Sequence, residues 1–251
     1  MKEIIMQHVK WIVFLVAVCW VTLFIGFRSN TVRSLLVLPS KEIVRAGGFN
    51  HIFHRRNAFQ ESALAHKLLD GLRGIEIGGS AHNPFGLKTL NVDYSDELST
   101  PFKRAEEKAA GHALKVDIVA SGDNLPFKDN VFDFVINSHV IEHFFDPIKA
   151  IKEWLRVVKP GGYIYMIIPH KERTFDKNRP RTSLEEIIYR HEHLTAPEND
   201  DHHHWSVWIT QDMLDICKHY GWEVVAVQDI DDKVGNGFTV VVRKGEEIRN
   251  L

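Results

Sequence analysis

With 251 residues and 44% hydrophobic side chains, the chain is long enough for one folded domain of ordinary size plus an extension. Its formal net charge is only -2, which leaves no basic field to hold a phosphate polymer and excludes nucleic acid as an expected partner. The two cysteines, Cys19 and Cys217, make neither a disulfide framework nor a thiolate metal site, and fit a reducing compartment.

Residues 1–10 form a short tail carrying Lys2 and Lys10. From Trp11 to Phe27 no residue is charged, a run at the lower edge of what crosses a bilayer as a helix. A secretory signal peptide and a buried core helix are the other readings of such a run. It is long for a signal, Gly26-Phe27-Arg28 is no small-x-small cleavage site, and aromatic residues mark its ends, so residues 11–27 are expected to be an uncleaved single-pass membrane anchor. Arg28, Arg33, Lys41 and Arg45 follow it, and the positive-inside rule then favours a cytoplasmic C-terminal domain. Residues 28–57 read as a basic juxtamembrane linker, lying against anionic headgroups or simply solvated.

Residues 58–251 read as one α/β domain, because short β-rich runs alternate with helical patterns as in a mostly parallel sheet covered on both faces. The strands are expected at 74–77, 90–92, 116–119, 132–137 and 163–168. Helical patterns fill the gaps, at 61–72 before the first strand and 147–158 after the fourth, where Lys159-Pro160-Gly161-Gly162 is the stop. A polar loop region follows, then a helix at 211–220 and strands at 223–228 and 238–243. The link between these strands, with Gly235-Asn236-Gly237, is short enough to require them to be antiparallel.

The segment GIEIGGSAHNPFG, Gly74 to Gly86, carries an acid near a strand end and breaks into adjacent glycines, which let a backbone turn tightly and approach a ligand. Asp93 ends the next strand, where a carboxylate can accept both hydroxyls of a ribose. A nicotinamide site would want G-x-G-x-x-G, and counting from Gly78 the later glycine places are held by Ser80 and Asn83.

From about Leu72 to Arg243 the chain resembles the class I S-adenosylmethionine-dependent methyltransferases, particularly the branch acting on small molecules, lipids and sugars. The most specific stretch is DNLPFKDNVFDFVINSHVIEHFFDPIKAIKEWLRVVKPGGYIYMIIPH, Asp123 to His170. The resemblance implies a Rossmann-like sheet of seven strands, the last antiparallel, with S-adenosyl-L-methionine as cofactor. By position it implies that Glu76, Gly78 and Gly79 border the methionine end and that Asp93 holds the ribose. Asn124 and Leu125 would lie beside the adenine, with Asp123 meeting its amino group in place of an acid that the family often has where Ser121 stands. Asn137 and Ser138 would face the cofactor's amino-acid portion and the acceptor. The glycine-rich loop departs from the family at Ser80 and His82.

A sulfonium methyl is already activated, so the protein mainly aligns an acceptor's lone pair, with a base only where the acceptor loses a proton. At the end of the fourth strand the chain reads Asn-Ser-His-Val rather than Asn-Pro-Pro-Tyr, which argues against amide or exocyclic-amine acceptors and leaves oxygen as the expected acceptor atom. His139 is the first candidate base and His143, one helical turn on, the second; the alternative is that both only pack around the site. The same residues spell the H-x-x-E-H of an inverted zinc peptidase, but that needs both histidines on one helical face, and here the motif begins at a strand end. Five histidines between His191 and His204 (His191, His193, His202, His203, His204) are dense enough to bind a divalent metal, yet their spacing matches no defined ligand set; a solvated loop is the simpler reading, and no metal ligand is assigned. Lys171, Arg173, Lys177, Arg179 and Arg181 form either an anion-binding cluster or a solvated loop. The expectation is a membrane-anchored O-methyltransferase of a small-molecule, glycan or lipid-linked acceptor, with a non-catalytic methyltransferase-like binding domain as the alternative.

Overall fold

The computed structural model describes residues 60–197 and 204–246. The tail, the anchor expected at 11–27 and the linker at 28–57 lie outside the described residues. Among the described residues no helix is long and apolar enough to cross a membrane.

The elements are α1 (Ala63–Leu69), β1 (Gly74–Ile77), β2 (Thr89–Asp93), α2 (Pro101–Ala110), β3 (Ile118–Val119), β4 (Phe132–Ser138), α3 (Pro147–Val157), β5 (Val158–Pro169), α4 (Leu184–His193), α5 (Thr210–His219), β6 (Glu223–Gln228) and β7 (Gly237–Arg243). The strands form one sheet in the order β3-β2-β1-β4-β5-β7-β6. The first five run parallel, and β7 is antiparallel to both β5 and β6. After β1 the chain winds outward to β2 and β3 and then returns to place β4 on the other side of β1. That reversal leaves a crevice at the carboxyl ends of β1 and β4, where sheets of this kind bind ligands.

Both faces of the sheet are covered, and the period-two alternation of the strands decides which residue goes where. Val135, Ile164 and Met166 join Ile148, Ile151 and Trp154 of α3, Ile187 of α4, and Met213 and Ile216 of α5. Their neighbours Phe134, Ile136, Tyr165 and Ile167 point the other way, onto Ala65 and Leu69 of α1 and onto Phe85. Each such apolar side chain taken fully out of water contributes roughly 1.5–3 kcal/mol before chain entropy is subtracted. Helix starts follow local chemistry: the Oγ of Ser62 accepts the Ala65 amide at 3.0 Å, and Asp146, with Pro147 at the first helical position, caps α3 by accepting the Lys149 amide at 2.9 Å.

Two expectations are corrected. The Lys-Pro-Gly-Gly turn does not precede the fifth strand but lies within it: Val158 already pairs with Phe132, and the register then jumps to Tyr163 opposite Phe134. Gly161, at φ +78°, absorbs that bulge, and its amide bonds to the Lys244 carbonyl of the adjoining segment. Residues 184–193, read as part of a polar loop region, form α4. Ser183 caps it by accepting the Glu186 amide at 3.2 Å, Ile187 is buried, and the Arg190 side chain donates to the Trp205 carbonyl at 3.2 Å.

Candidate active site

The residues singled out in β1, β2 and β4 meet at one edge of the sheet. Glu76 is in register with Asn91 and with Ile136, so the acid of β1, Asp93 at the end of β2, and Asn137 and Ser138 at the end of β4 flank the same crevice. Gly78 turns the chain out of β1 at φ +68°, and a Cβ there would come within 2.8 Å of Val140. At Gly79 a Cβ would meet the Asn91 Oδ1 at 2.6 Å and the Glu76 carboxyl carbon at 3.1 Å, so only glycine lets the loop lie over both. The Gly79 amide donates to that same Oδ1 at 3.0 Å. Ser80 and His82, at the family's later glycine places, bond to each other at 2.7 Å.

The electrostatics of the crevice is dominated by burial. It pushes the Glu76 carboxyl up to about 7, with the Lys233 ammonium and the Thr89 hydroxyl holding it back. Burial likewise lowers the Lys233 ammonium, against the pull of Glu76. Lys233 comes from the β6–β7 loop and is nearly inaccessible; its Nζ donates to the Pro84 carbonyl at 2.6 Å and lies 4.4 Å from the centre of the Phe85 ring. The loop is organised by buried Asp231, whose carboxylate accepts the amides of Lys233, Val234, Gly235 and Gly237 at 2.5–3.0 Å. Asp232 accepts the Leu64 amide at 2.9 Å and ties the loop to α1.

Asp93 accepts the Tyr94 amide at 2.8 Å and lies 3.6 Å from the Lys103 Nζ; burial raises its carboxyl, with Lys103 opposing. Lys103 and its partner Glu106, 3.0 Å apart, are both buried. Glu106 also accepts the Ala81 amide, fixing the glycine loop to α2. Asp123 is engaged by the Ser121 hydroxyl at 2.5 Å and the Lys149 ammonium at 2.8 Å; burial raises it, but these bonds outweigh burial and leave it below the ordinary carboxylate value. Asn124 beside it is exposed. The Leu125 side chain joins the core, and its amide donates to Glu153 at 2.6 Å.

At the end of β4 the polar atoms change character. Asn137 is fully buried, and neither its amide nitrogen nor its oxygen has a protein partner; the Ser138 hydroxyl and the His139 Nε2 are buried in the same condition. Polar atoms left this way cost about 1–3 kcal/mol each unless something outside the protein satisfies them. His139 itself sits at φ +56°, a left-handed conformation uncommon for a residue with a Cβ. Burial lowers its imidazole to about 4, with Asp231 opposing, so the ring is neutral at pH 7.

His139 and His143 do not share a helix. Residues Ile141–His143 make a single 3-10 turn, and the left-handed His139 breaks the path into it, which removes the geometry an H-x-x-E-H peptidase needs. His143 instead lies beside Glu142 and His204, with rings of His143 and His204 centred 4.8 Å apart. The other histidines of the 191–204 group divide: His191 bonds to Asp146 at 2.9 Å, His193 is exposed on α4, and His202 and His203 lie outside the described residues. Four of the five basic residues read as an anion cluster have carboxylate partners in the fold: Lys171 with Glu172, Arg173 with Asp229, Arg179 with Asp176, and Arg181 with Asp212. Lys233, Asp231 and the Asp176–His204 pair escaped the sequence reading, since a loop aspartate or lysine has no periodic signature. A surface depression of about 700 Å³ between Arg181, Ser183, Asp212 and Lys218 is lined by none of the crevice residues.

A family profile described as "Methyltransferase domain" matches residues 78–166. An uncharacterized protein of Methanocaldococcus jannaschii is 29% identical over 69% of this chain and 76% of its own length. A probable S-adenosylmethionine-dependent methyltransferase of Mycolicibacterium smegmatis is 26% identical over 58% of this chain and 56% of its own. The chloroplastic tocopherol O-methyltransferase of Arabidopsis thaliana is 35% identical over 38% of this chain; the aligned stretch is 28% of that longer protein. The profile begins at the glycine turn that leaves β1 and ends within β5, so it takes in Gly78, Gly79, Asp93 and the end of β4 but not Glu76 or the β6–β7 loop. Residues 78–166 thus form a domain of the methyltransferase type, similar to that of S-adenosylmethionine-dependent methyltransferases.

Proposed function

We propose that the protein transfers the methyl group of S-adenosylmethionine to a hydroxyl oxygen of a small-molecule, glycan or lipid-linked acceptor. The observation that carries this reading is the row of buried, unpartnered polar atoms on Asn137, Ser138 and His139 at the end of β4, beside the carboxyl end of β1. Asn137 and Ser138 bind the amino-acid end of the cofactor and the acceptor. Gly78 and Gly79 let the backbone approach the cofactor, with Glu76 beneath them. Asp93 takes the ribose hydroxyls, and Asp123, Asn124 and Leu125 border the adenine. The family's cofactor supplies a sulfonium methyl.

His139 accepts the hydroxyl proton as the acceptor oxygen bonds to the methyl carbon and the carbon–sulfur bond breaks, leaving S-adenosylhomocysteine. A buried imidazole at about 4 is a weak base on its own. The imidazole would gain its positive charge as the bound cofactor gave one up, so the net charge of the crevice would not change, and the penalty of charging the ring is offset. Oxygen is favoured by the residues after β4; the tocopherol relative, named as an O-methyltransferase, agrees but shares only part of the chain. The anchor proposed at 11–27 keeps lipid-linked acceptors among those to be tried.

The test is to incubate the full-length chain and methyl-labelled S-adenosylmethionine with a membrane extract and with soluble metabolites, then identify what carries the label. A labelled ether or ester supports the reading. A labelled amine replaces oxygen by nitrogen, and cofactor binding without any labelled product favours a binding domain.

A further inference from the structure

Glu142, in the turn after β4, is fully buried, and neither carboxylate oxygen has a protein hydrogen-bond partner. Two imidazole nitrogens face it: the His143 Nε2 is 3.7 Å and the His204 Nε2 3.8 Å from its Oε1. One ligating atom from each of the three lies within 4.8 Å of the others. Around an ion with bonds of about 2.0–2.2 Å, tetrahedral ligand atoms are roughly 3.4 Å apart, so the two histidine–carboxylate separations need to close by a few tenths of an ångström and the histidine–histidine separation by at most about 1.4 Å.

The surroundings hold the three in place. The His204 Nδ1 is 2.6 Å from the Asp176 Oδ2, and Asp176 is paired with Arg179 at 2.7 Å, the carboxylate–imidazole arrangement that orients metal-binding histidines and leaves Nε2 for the ion. The amide of Trp205 donates to the Glu142 carbonyl at 2.8 Å, so the segment carrying His204 is fastened to the turn carrying the other two. Side-chain exposure is 0% for Glu142, 10% for His204 and 25% for His143, which buries the carboxylate and leaves one approach open beside His143.

We propose that Glu142, His143 and His204 bind a single divalent transition-metal ion, oriented by Asp176 and Arg179. Two imidazoles and one carboxylate suit zinc, manganese or iron better than calcium or magnesium, which prefer oxygen ligands throughout. The set differs from an H-x-x-E-H site, which would take both motif histidines; His139 is not among these ligands. A use for the ion rests on the hydroxyl-acceptor reading above: an oxygen bound at its open position would have a lowered pKa and a fixed direction. Ion binding itself does not depend on that reading.

The test uses the untagged, metal-stripped full-length chain titrated with Co²⁺, followed by visible absorption and equilibrium dialysis. The expected result is one Co²⁺ per chain, displaced by Zn²⁺. Glu142→Gln and His204→Gln should each weaken binding at least a hundredfold. Asp176→Asn, which keeps all three ligands, should weaken it tenfold to a hundredfold and carries the test if a ligand variant does not fold, as judged by circular dichroism. His193→Ala should change nothing. Absence of stoichiometric Co²⁺ binding overturns the proposal, and so does an affinity unchanged by both His204→Gln and Asp176→Asn. Calorimetry with S-adenosylmethionine on the same preparations separates the two readings: cofactor without cobalt sinks the metal site alone, and cobalt without cofactor sinks the methyl-transfer reading alone.

Discussion

The indole Nε1 of Trp154 donates to the carbonyl of Gly122 at 2.8 Å, and by that bond α3 fixes the loop carrying Asp123 and Asn124. Trp154→Phe keeps the apolar packing but leaves that carbonyl without its donor. We expect a stability loss of about 2 kcal/mol in urea denaturation. We also expect weaker cofactor binding with kcat at saturating cofactor little changed; an unchanged cofactor Kd would place the adenine elsewhere.

Removing the acid at the end of β2 tests the ribose contact. Asp93→Ala leaves Lys103 paired with Glu106, so the fold is expected to persist. Two hydrogen bonds to a charged acceptor are lost, and calorimetry should show S-adenosylmethionine binding at least a hundredfold weaker. A loss below threefold would mean that Asp93 does not touch the cofactor.

Glu76 gives a pH signature of known sign. Its folded pKa, about 7, lies above the ordinary 4.5, so the folded chain holds a proton there that the unfolded chain releases. That share of stability is complete below about pH 4.5 and is lost as pH rises through 7, by about 3 kcal/mol at most. His139 and Glu142 also titrate, so the comparison must be between wild type and Glu76→Gln. The stability of wild type relative to Glu76→Gln should fall between pH 5 and pH 8 in urea series, and parallel curves would show that Glu76 ionises normally.

His139 calls for a substitution its backbone can accept. Asparagine tolerates the left-handed conformation better than alanine, so His139→Asn removes the imidazole with little added strain. If His139 takes the proton, kcat should fall about a hundredfold to ten-thousandfold with cofactor Kd preserved. An unchanged kcat would assign the ring to packing.

The sheet was legible because each strand pairs an apolar alternation with a turn signal. β1 and β6 match the expected spans at both ends, and β2, β4 and β7 fall within one residue of theirs at each end. The carboxylates at two strand ends followed from that reading. Helix α4 was missed although Ser183 and Glu186 have the spacing of a helix start, because the basic residues before it suggested a loop. Lys233 reaches Pro84 and Asp176 reaches His204 through the tertiary fold, and no local pattern encodes such pairings.

Asp231 gathers four amides of its own loop. The rim beside Glu76 is thus rigid through the chain's own bonding, not through anything it later captures. Whatever enters meets a finished wall, so association loses little motion on that side, and selectivity there arises by exclusion of misfits instead of by closure around the guest.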